Sequence, residues 1–274
     1  MHSGRRNRLP LLTQASILAA LHKAHVAIVL IFIGIPIWLT GIMAFNDGGF
    51  LTLPIRTYSL RWFTEFFSSP LWIDALVNSL LVASGVAILA TFVGTSAAYA
   101  FNRFGLSRRS TWYFLALLPL FMPGVVLGLG LLITFGDLLQ GTRLFLVLAH
   151  SLWAMPLVFM VMEATFRHVD RRIIEASLDL GATPLRTFWD ITMSLVLTGL
   201  VSSALFAFVV SLNEFIMALF LTTRNTLTLP VLMWQSLRSA GTPILAVASL
   251  ILVGTVLSAL LIVFILQIFR RRLT

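Results

Sequence analysis

The residue most at odds with its surroundings is a carboxylate, Glu214, in the run SLNEF within a long apolar stretch. A carboxyl group in hydrocarbon costs several kcal/mol unless it is paired or faces a cavity. Glu214 is therefore expected either to line a path, contacting a cationic solute with help from Asn213, or to be protonated or bonded to a neighbouring helix. Asp74 and Asn78, early in another apolar stretch, are further candidates for the same path, although polar groups at a helix end also serve as caps. The other polar residues do not converge on a reaction. His150 and Glu163 lie too far apart along one helix for a metal site, since zinc takes three or four converging ligands. Serine, histidine and acidic residues are scattered over separate stretches, so no nucleophile and base can be paired and no catalytic residue is assigned. The only lysine, Lys23, follows no glycine-rich run, which excludes a phosphate-cradling P-loop and ATP hydrolysis by this chain. Without cysteine there is neither a disulfide framework nor a thiolate metal site.

The elements that must position these groups are membrane helices. Of the 274 residues 59% are hydrophobic and 11% are charged, far from the roughly 25% charged of soluble proteins. The net charge of +9 does not point to nucleic acid, because the basic residues gather at the ends of apolar stretches. Crossing a hydrocarbon core of about 30 Å takes roughly 20 apolar residues as a helix. Six stretches reach that length, near residues 25–45, 74–100, 112–136, 144–164, 195–221 and 244–268. They are too long and too uniformly apolar for barrel strands, and helices satisfy their own backbone in lipid, so the fold class is all-α and polytopic. The first stretch exceeds the 7 to 15 apolar residues of a signal-peptide core and reads as a retained anchor.

Basic residues set the orientation. With both termini cytoplasmic, 14 lysines and arginines fall inside and five, Arg56, Arg61, Arg143, Arg224 and Arg238, fall outside. The chain then divides into a cytoplasmic tail over 1–24, a six-span domain over 25–268 with a cytoplasmic loop near 165–194, and a short cytoplasmic tail over 269–274. Residues 46–72 mix turn formers with aromatics, as in an external loop carrying an interfacial helix. In the other external segment, 222–242, the run LPVLMWQSL is apolar enough to dip back towards the bilayer. Gly124 and Gly128 have the spacing of a helix-packing pair, and Pro119 and Pro123 beside them predict a kinked third span.

The cytoplasmic loop has its own punctuation. Asp170 is placed to cap a helix through Ile173, Ile174, Glu175 and Leu178, and Gly181 to end it in a left-handed turn. Thr183 and Pro184 then form a second helix start leading into the fifth span. Ala176, Ser177, Gly181 and Ala182 carry little side chain, so the turn suits close docking on a partner, with Glu175 and the arginines setting register. An ordinary amphipathic loop helix has the same caps.

Residues 175–194, EASLDLGATPLRTFWDITMS, resemble the E-A-A-x3-G-x9-I-x-L-P loop of the inner-membrane permeases of binding-protein-dependent ABC importers. Glu175, Ala176, Gly181 and Ile191 match, whereas Ser177 replaces the second alanine, Met193 the leucine and Ser194 the proline. The missing proline bears on how the second helix enters the membrane. The resemblance extends over about residues 60–268, through NSLLVA, LPLFMPGVVLGLGLL, SLNEFIMALFL and TLTLPVLMWQSL, and is greatest to the polyamine (spermidine and putrescine) branch. It implies a permease in the bacterial inner membrane that moves solute by alternating access. Its partners would be a second permease subunit, a cytoplasmic ATPase dimer using ATP and magnesium, and an external solute-binding protein. The chain itself would bind no cofactor. Glu175, Ala176, Ser177, Gly181, Ala182 and Ile191 would form the loop that couples the ATPase to the spans. Related permeases carry other small solutes, and an ATP-independent secondary transporter, with Glu214 as a protonation site, or a non-transporting scaffold, uses similar spans.

Overall fold

The computed structural model describes residues 11–106 and 110–271, and its regular elements are helices. Among the described residues the one β-type pairing is an isolated antiparallel bridge between Asn46 and Tyr58. Five helical stretches are long and apolar enough to cross a bilayer, and a sharply bent pair makes a sixth crossing when counted as one. The protein is thus an all-α polytopic membrane protein.

Three of these stretches form the frame. Helix α3 (Pro70–Arg103), α6 (Arg143–Arg167) and α9 (Met193–Asn213) pack on one another along the molecule. Glycine sets the approach, because lipid gives helices no hydrophobic reason to associate and packing contacts must supply it. A Cβ built on Gly94 of α3 would lie 2.8 Å from Val158 Cγ1 and 2.9 Å from the Met155 carbonyl oxygen of α6. A Cβ on Gly199 of α9 would fall 2.5 Å from Thr165 Oγ1 of α6. The remaining long helices, α1 (Leu11–Met43) and α12 (Ile244–Arg271), are peripheral and keep most of their apolar side chains, Phe32 and Phe264 among them, on the outside. Helix α1 starts at Leu11, inside the segment expected as a tail, and α12 runs to Arg271. The rest of those tails lies outside the described residues.

Two expected spans are interrupted. The third consists of α4 (Thr111–Leu117) with a tight turn over Leu118–Phe121, then a break at Met122 and Pro123, then α5 (Gly124–Leu139). The two halves are bent by 92°, well beyond a kink. Pro119 and Pro123 lack the amide hydrogens a continuous helix would use, and they explain where the break falls. The fifth, expected through residue 221, ends as a helix at Asn213; Glu214 is extended and a short helix α10 (Ile216–Leu221) follows. Neither Gly nor Pro marks that break, which is why the sequence reads as continuous there. Helix α10 lies along α5, with Gly124 and Gly128 at the contact: a Cβ on Gly128 would sit 3.2 Å from Met217 Cα.

Between α1 and α3, α2 (Arg61–Ser68) is amphipathic, but Trp62 and Phe66 are buried in the protein rather than resting at a headgroup layer. Phe66 meets Trp72 of α3 at 5.6 Å between ring centroids. Helix α11 (Leu229–Ser239) buries Leu229, Val231 and Leu232, so the segment 222–242 turns back into the bundle.

The Gly94 contact makes a prediction. Gly94→Ala forces a methyl group against a backbone carbonyl and should destabilise the detergent-solubilised protein by about 1–3 kcal/mol, the usual cost of overpacking. Gly254→Ala, where a Cβ meets nothing within 4 Å, is the control and should leave the melting temperature unchanged.

Candidate functional site

The loop between α6 and α9 is built by capping. Asp170 Oδ1 accepts the Arg172 amide at 3.0 Å and opens α7 (Arg171–Asp179). At the far end Gly181 has φ +86°, which an L side chain rarely adopts. That conformation lets the Gly181 amide donate to the Leu178 carbonyl and the Ala182 amide to the Ser177 carbonyl, closing a Schellman turn. Thr183 Oγ1 then accepts the Arg186 amide and Pro184 occupies the first position of α8 (Pro184–Thr187), which runs on through a wider π turn over Phe188–Thr192 into α9. The helix continues past Ser194 without a proline.

Within this loop the small residues divide. Glu175, Ala176 and Gly181 face outward, and Ala182 and Ile191 are half-buried. Ser177 instead turns inward, and its Oγ lies 2.9 Å from Thr187 Oγ1. Around the turn stand Leu180, Leu185 and Trp189 at 89%, 69% and 61% exposure, a concentration of apolar surface at the end of a polar loop. The loop is seated through aromatic rings: Tyr99 of α3 meets Phe188 at 4.9 Å and Phe166 of α6 at 5.6 Å. Arg171 Nη2 also donates to the Asn102 carbonyl, at 3.0 Å.

Glu214 occupies the break of the fifth span. Its two carboxylate oxygens accept the amides of Met217 and Ala218, each at 3.0 Å, which caps α10. His150 of α6 stands beside it with Nε2 3.4 Å from Oε2, too poorly aligned for a hydrogen bond, while its Nδ1 pairs with Ser211 Oγ at 2.9 Å. Glu214, His150 and Ser211 are all buried. Asn213 next to it is exposed and its Nδ2 donates to the Val209 carbonyl at 2.9 Å. Asn78 is buried elsewhere: its Nδ2 donates to the carbonyls of Asn225 and Leu227, both at 3.1 Å, and its Oδ1 accepts from Arg143 Nε at 2.8 Å. Asp74 is exposed near the start of α3, and Glu163 pairs with Arg167 one turn along α6. The structure therefore brings His150 to Glu214, which sequence spacing did not indicate, and gives Asn78 separate work holding the segment that leads into α11.

Residues 90–274 match the model of a protein family described as the binding-protein-dependent transport system inner membrane component. The chain belongs to this family. As a permease of that kind it is 35% identical over 230 residues to the putrescine transport system permease PotI of Escherichia coli strain K12, covering 81% of this chain and 82% of the relative. It is 27% identical over 246 residues to the spermidine/putrescine transport system permease PotC of Haemophilus influenzae, covering 89% and 94%. Its fold matches a chain of a bacterial alginate ABC transporter, crystallised with a periplasmic protein carrying an alginate pentasaccharide. That match has a TM-score of 0.70 and 17% identity over 96% of both chains.

The Glu214 cap makes a prediction about the permease. Glu214→Ala leaves two buried amides of α10 without acceptors and should lower stability by about 1–3 kcal/mol for each unsatisfied group. Glu214→Gln keeps one acceptor oxygen and should lose less. Thermal unfolding in detergent, with limited proteolysis around residues 213–216, measures both.

Proposed function

We propose that this permease is one of the membrane subunits of an ATP-driven ABC importer of polyamines in the bacterial inner membrane. In this reading both termini are cytoplasmic, and the loop of Glu175, Ala176, Ser177, Gly181, Ala182 and Ile191 docks on an ATPase dimer that uses ATP and magnesium. A second permease subunit completes the pathway and an external solute-binding protein delivers the solute. The observation that carries the docking is the exposed Leu180, Leu185 and Trp189 around the Gly181 turn, an apolar surface that a membrane does not cover when the basic residues beside it are cytoplasmic. The solute assignment rests on the putrescine and spermidine/putrescine permeases to which the chain is similar.

The pathway is assigned to Asn213 and Glu214. Asn213 offers an exposed carboxamide to a solute ammonium group, while buried Glu214 supplies acidic character behind it and Asn78 holds the outer loop. Transport then needs no chemistry on the solute. The energy comes from nucleotide-driven movement of the loop.

Mass spectrometry of what copurifies with the chain from native membranes tests the assembly. An ATPase should accompany the parent and be lost from a Glu175→Arg, Gly181→Arg double variant, whose second change also puts a side chain into the left-handed turn. A parent that purifies without any ATPase would overturn the importer reading. For the pathway, Asn213→Ala should cut putrescine uptake roughly tenfold, the loss of one charge-assisted hydrogen bond, with assembly intact. A Glu214→Gln protein that assembles and transports at the parent rate would remove Glu214 from the path.

A further inference from the structure

The inner face of the cytoplasmic loop contains a chain of hydroxyl groups that the docking surface does not use. Ser177 on α7, Thr187 at the end of α8 and Thr192 at the end of the π turn are all buried, although the loop around them is largely exposed. Ser177 Oγ and Thr187 Oγ1 are 2.9 Å apart, and Thr192 Oγ1 donates to the Thr187 carbonyl at 3.5 Å. Thr187 is the hub, joined through its side chain to α7 and through its carbonyl to the base of α9.

The register of the second contact is unusual. Threonines in helices commonly bond back to the carbonyl four residues earlier, as Thr165 does to Val161 and Thr255 to Ile251 here. Thr192 reaches back five. The same step appears in the backbone, where the Met193 amide donates to the Phe188 carbonyl. The side chain thus follows the π turn, a wide turn that a helix rarely adopts and that recurs at functional sites. It lies immediately before position 194, where the family motif has proline and this chain has Ser194.

The packing around α7 gives these contacts mechanical importance. Between α7 and the bundle lies a cavity of about 200 Å3, lined by Tyr99, Asn102, Arg103, Ile174, Glu175 and Phe188 among others. Helix α7 packs on α8 rather than tightly on the frame. A push on α7 therefore meets a gap on the bundle side and a buried hydrogen bond on the α8 side.

We infer that Ser177, Thr187 and Thr192 form a hydroxyl relay that makes α7, α8 and the π turn one mechanical unit, so that displacement of the docked loop is delivered to α9. The relay rests on the importer reading above. These are positioning residues: none touches solute or nucleotide. Thr187→Val keeps the shape and removes the hydroxyl, breaking the link to Ser177, whereas Thr187→Ser keeps it.

Two measurements on the complex purified from native membranes test the relay. In proteoliposomes with putrescine, the solute moved per ATP hydrolysed should fall about three- to tenfold in Thr187→Val and in Ser177→Ala, the range of mutations along a coupling route. Thr187→Ser should restore the parent ratio. The second measurement needs no solute. The chain has no native cysteine, so spin labels on Asp179→Cys and Phe206→Cys report α7 against α9 specifically. Their distance should keep one narrow distribution with and without ATP in the parent and broaden on adding ATP in Thr187→Val. An unchanged distance distribution and an unchanged transport ratio in Thr187→Val would overturn the relay. So would failure of Thr187→Val and Ser177→Ala to assemble, which would make the hydroxyls scaffold only. Absence of an ATPase from the parent preparation would instead defeat the importer reading itself.

Discussion

The constraint on which the rest of this structure depends is that a bilayer offers no water to a broken helix. A backbone amide or carbonyl left unpaired in hydrocarbon costs several kcal/mol, so irregular backbone survives there only where protein answers it. Each interruption in this chain has such an answer. Near the break before α5, Trp153 Nε1 donates to the Pro119 carbonyl at 3.1 Å. At the break after α9, Glu214 takes two amides of α10. Where the segment before α11 enters the bundle, Asn78 donates to two of its carbonyls and Ser79 Oγ accepts the Leu229 amide at 2.8 Å.

Most of those partners come from the frame, which ties the breaks to the close packing of α3, α6 and α9. Asn78 and Ser79 belong to α3 and Trp153 to α6, while Glu214 directly follows the end of α9. Gly85, Gly94 and Gly199 let the three helices approach until an added Cβ would collide, and that approach holds the polar side chains at fixed positions. The buried polar groups and the glycines are two parts of one arrangement. The half-helices α5 and α10 then pack together against the frame, with Gly124 and Gly128 between them.

Outside the hydrocarbon the rule changes. The loop after α6 can satisfy its backbone with water, so its caps fix shape rather than prevent a penalty in lipid. Its apolar residues are correspondingly free to point outward, and Leu180, Leu185 and Trp189 do so. The hydroxyls of Ser177 and Thr187 point inward and bond to each other, and that of Thr192 bonds the Thr187 carbonyl. That inversion of the usual pattern gives the loop an outer surface suited to a partner and an inner set of contacts suited to holding its form.

The sequence by itself determined the fold class, the approximate place of five apolar crossings and of the bent pair read as a sixth, and the local punctuation of the loop. These follow from length, composition and capping, which act over a few residues or one helix. Asp170, Gly181, Thr183 and Pro184 occupy the structural positions their types predict, and the E-A-S-x3-G pattern was enough to indicate the family later matched over residues 90–274. Only the tertiary structure decided that the fifth span stops at Asn213, where neither Gly nor Pro marks a break and the Glu214 carboxylate turns back onto the amides of Met217 and Ala218 beside His150 of α6. It also decided that Trp62 and Phe66 turn into the core and that Ser177 turns away from the exposed face of the loop. Such choices depend on contacts between distant segments. A hydroxyl or a carboxylate has the same sequence signature whether it faces solute, solvent or a helix end, and only the packed neighbours select among them.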